Sequence, residues 1–142
     1  MTNLLESPNG SARLLELPVA HEPGRDMACV EWSNHLPFDI ARISYLYNVL
    51  VDTERGGYAN KVTQEVVLAI SGSFRLKIDD GVKQTEFWLR NPRQGVLIDR
   101  LIWREMDSFS HGAICLMLAS HPYEKTDYIR DYKSFKQEVI AK

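Results

Sequence analysis

The chain has 142 residues, of which 44% are apolar and 25% are charged. These values are typical of one globular domain, and they exclude an intrinsically disordered chain and a membrane-spanning protein. The 17 Lys and Arg residues and the 19 Asp and Glu residues leave a net charge of −2, so we expect neither a nucleic acid nor a membrane as a partner.

The N-terminal segment and the cysteines indicate the compartment. Residues 1–6 have neither a basic region nor a long apolar run, so no secretory signal is predicted and the cytoplasm is expected. Cys29 and Cys115 are each flanked by apolar residues. They are predicted to be reduced thiols used as small core residues.

The first part of the chain contains many residues that interrupt regular structure. Residues 1–25 include Pro8, Pro18 and Pro23, which predicts an irregular arm with at most one short strand near residues 12–17. Strand signals dominate residues 26–122. Between residues 39 and 49, Tyr45 is predicted to lie on one strand face and Arg42 on the other.

Two later segments, residues 64–71 and 113–119, are apolar at nearly every position, which predicts strands covered on both faces. Phe74 to Leu89 alternates in polarity around Asp80 and Gly81, which predicts a hairpin with a two-residue turn. Many short strands separated by turns favour a closed barrel or a sandwich.

In the C-terminal segment the spacing of apolar residues differs from the alternation that is typical of a strand. Apolar residues recur at helical spacing, and Thr126 or Asp127 can cap a helix over residues 126–141. The sequence therefore predicts a single all-β domain, residues 1–142, with a barrel at residues 26–122 and a short C-terminal helix.

The segment from Arg55 to Gly72 carries the chemistry. Its spacing resembles the first cupin motif, with Tyr58 and Asn60 at the positions of two metal-binding histidines and Glu65 at that of the glutamate. Residues two apart on a strand face the same way, so both reach into the barrel. A phenol and an amide are poor ligands for a transition metal, so no metal is expected.

Several short motifs, in order, resemble the WxcM-like dTDP-4-keto-6-deoxyglucose 3,4-ketoisomerases. They are Leu36-Pro37-Phe38, Arg55-Gly56-Gly57, Ser71-Gly72-Ser73, Asp79-Asp80-Gly81, Ile102-Trp103-Arg104-Glu105-Met106 and Asp127-Tyr128-Ile129-Arg130-Asp131-Tyr132. The resemblance covers residues 36–139. It implies a cupin jelly-roll fold, a homodimer with exchanged N-terminal strands, and a site without cofactor for a thymidine-diphosphate-linked keto-sugar. It also implies a role in deoxysugar synthesis for O-antigen or related glycans.

The resemblance also implies a catalytic site, from which the chain departs. Tyr58 and Asn60 stand where the family has histidines, one of which shuttles protons. Moving a carbonyl from C4 to C3 through an enediol needs a base and an acid. An amide is neither, and a phenol is a base only if its pKa falls far below about 10. Glu105 is a candidate for the surviving acid or base, or a structural carboxylate.

The candidate substrate-binding residues have structural alternatives. Arg42 and Arg55 match basic positions of the family and suit a pyrophosphate, but each could be a solvated surface residue. Tyr45 and Trp103 could contact the nucleotide or belong to the core. Gln64 and Glu65 face opposite sides of one strand, so only one of them readily enters the barrel.

Three functions remain open at this point. The first is a nucleotide-sugar 3,4-ketoisomerase acting through an enediol. The second is a relative, natural or with its histidines deliberately replaced, that binds the same ligand without turnover. The third is a sugar-nucleotide epimerase in which Tyr58 is the acid and Glu105 the base.

Overall fold

The computed structural model describes residues 3–6, 12–32 and 34–141. Within these residues the elements are β1 (Asn3–Glu6), β2 (Ala12–Glu16), β3 (Val19–Glu22), β4 (Arg25–Ala28), β5 (Arg42–Leu46), β6 (Arg55–Asn60), β7 (Glu65–Ser71), β8 (Phe74–Asp79), β9 (Gln84–Leu89), β10 (Gln94–Ile98), β11 (Trp103–Asp107), β12 (Ile114–Ala119), β13 (Tyr128–Ile129) and α1 (Tyr132–Ala141). The prediction of an all-β chain with one short C-terminal helix is confirmed.

Two antiparallel sheets form the barrel. One has the order β1-β2-β10-β7-β12-β5 and the other β13-β6-β11-β8-β9, while β3 and β4 pair separately as a hairpin. The core between the sheets contains alternate residues of each strand, such as Val67 and Ala69 of β7 and Cys115 of β12. Val66 and Leu68 face the other way, into a second cluster with Leu36 and Phe38. The prediction that β7 is covered on both faces is confirmed.

The predicted division of the chain is wrong at its N-terminal end. Ala12–Glu16 is an inner strand, paired with both β1 and β10, so the barrel begins before residue 26. Leu15 is 1% exposed, and the stabilisation from its burial outweighs the preference of the nearby Pro and Gly residues for irregular structure. Pro23 and Gly24 form the turn of the β3–β4 hairpin. Cys29 is exposed, contrary to the prediction, whereas Cys115 is buried.

The C-terminal helix begins at Tyr132 and not at Thr126. Asp131 is its cap: its carboxylate accepts hydrogen bonds from the backbone N–H of Ser134 at 3.0 Å and from the Ser134 hydroxyl at 2.8 Å. Residues 125–127 form a short 3-10 turn, and Ile129 pairs with Ala59 of β6. No helix in the described part of the chain is long and apolar enough to cross a membrane.

The predicted hairpin of β8 and β9 is present, but its turn lies one residue further along. The backbone N–H of Asp80 donates to the Lys83 carbonyl at 3.3 Å, so the two central residues are Gly81 and Val82. Gly81 has a φ of 97°, which a residue with a side chain rarely adopts. The Asp80 carboxylate accepts hydrogen bonds from the backbone N–H groups of Val82 and Lys83 and thereby fixes the turn.

Candidate functional site

Tyr58 and Asn60 lie on the inner face of β6, as their spacing predicts. Tyr58 is paired with Arg104 of β11, and Asn60 is 0% exposed. Ala59 between them faces outward, into a cluster with Ile129 and with Phe135 of α1. Strand period therefore places both residues inside the barrel.

A buried ion pair lies beside Tyr58. Nη1 of Arg104 donates to Oε1 of Glu65 at 2.8 Å, and Nη2 donates to the carbonyl of Ile102 at 3.2 Å. The side chains of Arg104 and Glu65 are only 0% and 3% exposed. The Tyr58 hydroxyl donates to the same Glu65 oxygen at 3.3 Å. A guanidinium, a carboxylate and a phenol therefore share one water-poor space.

This environment settles the protonation state of Tyr58. Burial, followed by the negative charge of Glu65, raises the pKa of Tyr58 well above its ordinary value of 10, and the positive charge of Arg104 only partly opposes this. The shift is opposite to the one that a catalytic base requires. At neutral pH Tyr58 is therefore a hydrogen-bond donor.

The side chain of Asn60 is bound to Asp127. Its Nδ2 donates to Oδ2 of Asp127 at 3.0 Å, while its Oδ1 is buried without a hydrogen-bond partner. Burial acts to raise the pKa of Asp127, but hydrogen bonds from the Thr63 hydroxyl, the backbone N–H of Val62 and Asn60 lower it below 3.8. Asp127 is thus a carboxylate at neutral pH.

Arginine and tyrosine side chains gather at the same end of the barrel. Nη2 of Arg42 donates to the Tyr128 hydroxyl at 3.2 Å. The guanidinium of Arg130 lies 4.7 Å from the Tyr128 ring centroid and 5.9 Å from that of Tyr58. The Tyr123 ring lies 5.4 Å from Tyr128 and beneath Arg42. Among the ion pairs of the described residues, none involves Arg42 or Arg130.

Three predicted site residues face away from the barrel interior. Trp103 and Glu105 flank the inward-facing Arg104, so they lie on the outer face of β11. The Trp103 indole packs against Tyr132 and Phe135 of the helix, and its Nε1 donates to Oε2 of Glu105 at 2.8 Å. Of the alternatives predicted for these residues, the structure favours the structural carboxylate for Glu105 and the core residue for Trp103, which is 6% exposed. Neither side chain is placed to contact a ligand inside the barrel. Without Glu105 inside, the Tyr58–Glu105 epimerase is unsupported.

Tyr45 is also on an outer face, and it is 60% exposed. The neighbouring inward positions of β5 belong to Arg42 and Ser44, which are half-buried opposite Ala119 and Met117 of β12. The prediction that Arg42 and Tyr45 lie on opposite faces is confirmed. The predicted contact of Tyr45 with a ligand in the barrel is not compatible with this placement.

Arg55 and Gln64 lie at the edges of the arrangement. Arg55 is exposed at the start of β6, about 17 Å along the strand from Asn60 at roughly 3.3 Å per residue. It is therefore not gathered with Arg42. Gln64 precedes β7, and its Nε2 donates to Oδ1 of Asp99 at 3.2 Å, whereas Glu65 enters the interior.

Sequence reasoning did not single out Arg104, Asp127, Tyr128 or Arg130 individually as site residues. For Arg104 a signal was available, because Ile102 and Met106, two residues away on either side, are apolar and buried. Asp127 gave no such signal, since only one of the residues two positions away, Ile129, is apolar and the other is Lys125. Among the described residues, no group of three His, Cys, Asp or Glu side chains is placed to hold a metal ion.

The chain is similar to several known proteins. A family model described as WxcM-like, C-terminal, matches residues 10–140. The TDP-4-oxo-6-deoxy-alpha-D-glucose-3,4-oxoisomerase of Aneurinibacillus thermoaerophilus is 34% identical over 113 residues, covering 80% of this chain and 81% of that enzyme. A 3,4-ketoisomerase from Helicobacter canadensis is 33% identical, with a TM-score of 0.88 over 91% of this chain and 97% of that one.

A third relative has a substitution of direct interest. It is a variant of the 3,4-ketoisomerase QdtA of Thermoanaerobacterium thermosaccharolyticum in which a histidine is replaced by asparagine, solved in complex with TDP-4-keto-6-deoxyglucose. Its identity is 30% and its TM-score 0.90, covering 93% of this chain and 96% of that one.

These likenesses confirm the predicted cupin jelly-roll fold. The family model spans nearly the whole chain, and the curated isomerase matches four fifths of it. The chain therefore belongs to the WxcM-like family, and its close relatives are sugar 3,4-ketoisomerases.

Proposed function

We propose that this protein binds a thymidine-diphosphate-linked 4-keto-6-deoxy sugar inside the barrel and acts on it as a 3,4-ketoisomerase. The observation that carries the proposal is the buried group of Glu65, Tyr58 and Arg104, which combines a proton acceptor, a proton donor and a fixed positive charge. Its relatives act on or bind this class of nucleotide sugar.

The arginines near Tyr128 suit the diphosphate. Arg42 and Arg130 make no ion pair within the described residues, so their charge is available to a ligand. A guanidinium presents a planar fork that matches phosphate oxygens, and aromatic rings beside it can stack on a base. The exposed Arg130 is therefore a second candidate for binding the diphosphate, besides the predicted Arg42. Arg55 lies too far along β6 to contact the same group.

The reaction needs one proton to leave C3 and one to arrive at C4. We propose that the Glu65 carboxylate accepts the C3 proton while O4 gains a proton, which gives the enediol. C4 is then protonated, and the O3 hydroxyl loses its proton as the C3 carbonyl forms. Tyr58, which shares a hydrogen bond with Glu65, donates and regains a proton in this exchange.

Turnover should be slow in this chain. Imidazole titrates near neutral pH, whereas Tyr58 stays protonated and Asn60 does not titrate. We therefore expect the variant Tyr58→His/Asn60→His to isomerise the substrate faster than the unmodified protein.

Deuterium exchange tests the function. The protein is incubated with TDP-4-keto-6-deoxyglucose in deuterated water, and deuterium at C3 and C4 is followed by NMR. We expect slow exchange in the unmodified protein, none in Glu65→Gln, and faster exchange in the double-histidine variant. Calorimetry with TDP separates the alternatives: binding without exchange identifies a non-catalytic relative, and absence of binding contradicts the proposal.

We also propose that the protein is a homodimer that works in the cytoplasm. The edge strand β5 exposes Ile43 and Tyr45, at 59% and 60%, and every residue of the β3–β4 hairpin is exposed. An isolated hairpin is marginally stable, and an unpaired edge strand favours association. Light scattering should give twice the chain mass, and Tyr45→Lys should lower it; a monomer at micromolar concentration contradicts the dimer.

A further inference from the structure

Asp127 lies at the junction of the site with the C-terminal segment. It is 8% exposed, and its carboxylate accepts hydrogen bonds from Asn60 Nδ2 at 3.0 Å, from the Val62 backbone at 2.7 Å and from the Thr63 hydroxyl at 2.5 Å. Its backbone carbonyl also accepts from the N–H of Lys61 at 2.8 Å. One aspartate therefore holds the entire turn that follows β6.

These contacts determine the orientation of the Asn60 amide. A carboxylate only accepts hydrogen bonds, so the amide nitrogen must face Asp127 and the amide oxygen must face away from it. That oxygen, Oδ1, is buried and has no partner among the described residues. A buried acceptor without a donor is costly, so a hydrogen bond from a ligand to this atom would be favourable.

A donor is unpaired on the neighbouring strand as well. Nε of Arg104 is buried without a partner, although both terminal nitrogens of the same guanidinium are bonded. β11 and β6 are paired at Arg104 and Tyr58. A hydroxyl group both donates and accepts, so it can form a hydrogen bond with either kind of unpaired atom.

We propose that Asp127 is a positioning residue that fixes the side chain of residue 60, so that Asn60 Oδ1 accepts a hydrogen bond from a hydroxyl of the sugar. The contact with a sugar hydroxyl rests on the proposed function. The positioning of residue 60 by Asp127 is independent of that function, because it follows from contacts within the chain.

The same geometry predicts the hydrogen bonds that a histidine at position 60 would form. One ring N–H would donate to Asp127, as the Asn60 amide does, and the other ring nitrogen would take the place of Oδ1 as an acceptor. A carboxylate that accepts from an imidazole stabilises its protonated form and raises its pKa. A histidine at position 60 would therefore form a carboxylate–imidazole pair with Asp127.

The test is an NMR titration of the imidazole in Asn60→His, identified by comparison with His21, His35, His111 and His121 of the unmodified chain. We expect its pKa to be at least one unit higher than in Asn60→His/Asp127→Asn. The other charged and titratable groups of the site are unchanged between the two variants; they are Arg42, Tyr58, Lys61, Glu65, Arg104, Tyr128 and Arg130. Equal pKa values would overturn the inference.

A matched control separates positioning from simple stability. Asn60→His/Thr63→Val removes one hydrogen bond to the Asp127 carboxylate but keeps its charge, so the imidazole pKa should stay high. If Asp127→Asn does not fold, a pH titration of the unmodified protein tests the inference instead. The side-chain 15N signal of Asn60 should then shift with the same midpoint as the titration of the Asp127 carboxyl. A signal that ignores this titration contradicts the inference.

Binding tests the hydroxyl contact in the native chain. Asn60→Ala should bind TDP-4-keto-6-deoxyglucose about tenfold more weakly while its affinity for TDP is unchanged. Equal losses for both ligands contradict the contact. If the unmodified protein does not bind TDP, the proposed function fails, but the imidazole pKa comparison still decides the role of Asp127.

Discussion

The guanidinium carbon of Arg104 lies 4.8 Å from the centroid of the Tyr58 ring. The two residues occupy paired positions on β11 and β6, so the contact follows from the strand register. Glu65 joins them from the opposite sheet and accepts a hydrogen bond from each. The stability of the barrel and the protonation of Tyr58 therefore depend on the same three side chains.

The Arg104–Glu65 pair should be necessary for stability as a pair. Removing one partner leaves an uncompensated charge in the barrel, so Arg104→Met should lower the free energy of unfolding by about 3–5 kcal/mol. Glu65→Gln/Arg104→Met should recover part of that loss, because neither charge then remains. Urea denaturation of the unmodified protein, Arg104→Met, Glu65→Gln and the double variant measures both effects. Additive losses would show that the two side chains do not depend on each other.

Ionisation of Tyr58 should not increase the rate of deuterium exchange at alkaline pH. Because its pKa is raised above the ordinary value of 10, the phenol stays protonated between pH 7 and 9. Tyr58→Phe should reduce exchange at C3 several-fold while leaving its dependence on pH in this range unchanged. An increase in rate toward pH 9 that disappears in Tyr58→Phe would mean that the phenolate is the base.

Acid should weaken the outer face of the five-stranded sheet. The two hydrogen bonds from Arg75, at 2.7 Å each, are the largest influence on Asp107 and lower its pKa from 3.8 to about 2. The stabilisation is therefore complete above about pH 4 and is lost as the pH falls toward 2, a change of about 2 kcal/mol.

The measurement for Asp107 is urea denaturation at pH 7 and at pH 2.5. Asp107→Asn should be less stable than the unmodified protein at pH 7 and should lose less stability on acidification. Glu86→Gln is the matched control, since Glu86 is more exposed and lies 3.6 Å from Arg75. If Glu86→Gln changed the acid response as much as Asp107→Asn, the Arg75–Asp107 pair would not be its cause.

Gly72 should not tolerate a side chain. Its φ is 66°, and a Cβ there would lie 3.0 Å from Cα of Ala113 and would also meet the Ser110 hydroxyl. Gly72→Ala should therefore cost about 2 kcal/mol or more in unfolding free energy. Gly112→Ala isolates the backbone cost, because Gly112 has a φ of 75° with open space around it, and it should cost about 1 kcal/mol. Equal losses would argue against the steric contact.

Local patterns in the sequence predict much of this fold. The apolar runs of β7 and β12, the alternation in β8 and the turn near Gly81 each depend on neighbouring residues, and the structure contains all of them. The predicted start of the helix was wrong because Asp127 has a side chain suited to a helix cap, but its carboxylate accepts hydrogen bonds from Asn60, Val62 and Thr63 instead. Nothing local distinguishes it from Asp131, the actual cap.

By itself the sequence determined which residues share a strand face: Tyr58 with Asn60, and Trp103 with Glu105. Ile102 and Met106 share the face of Arg104, but the large apolar Trp103 lies on the opposite face, so the sequence leaves two possible orientations of β11. Tertiary packing decided that Arg104 faces inward. An arginine is stable inside a barrel only if a carboxylate compensates its charge, and that carboxylate belongs to Glu65, 39 positions away in the chain. The site therefore depends on a pairing between distant strands that no local pattern contains.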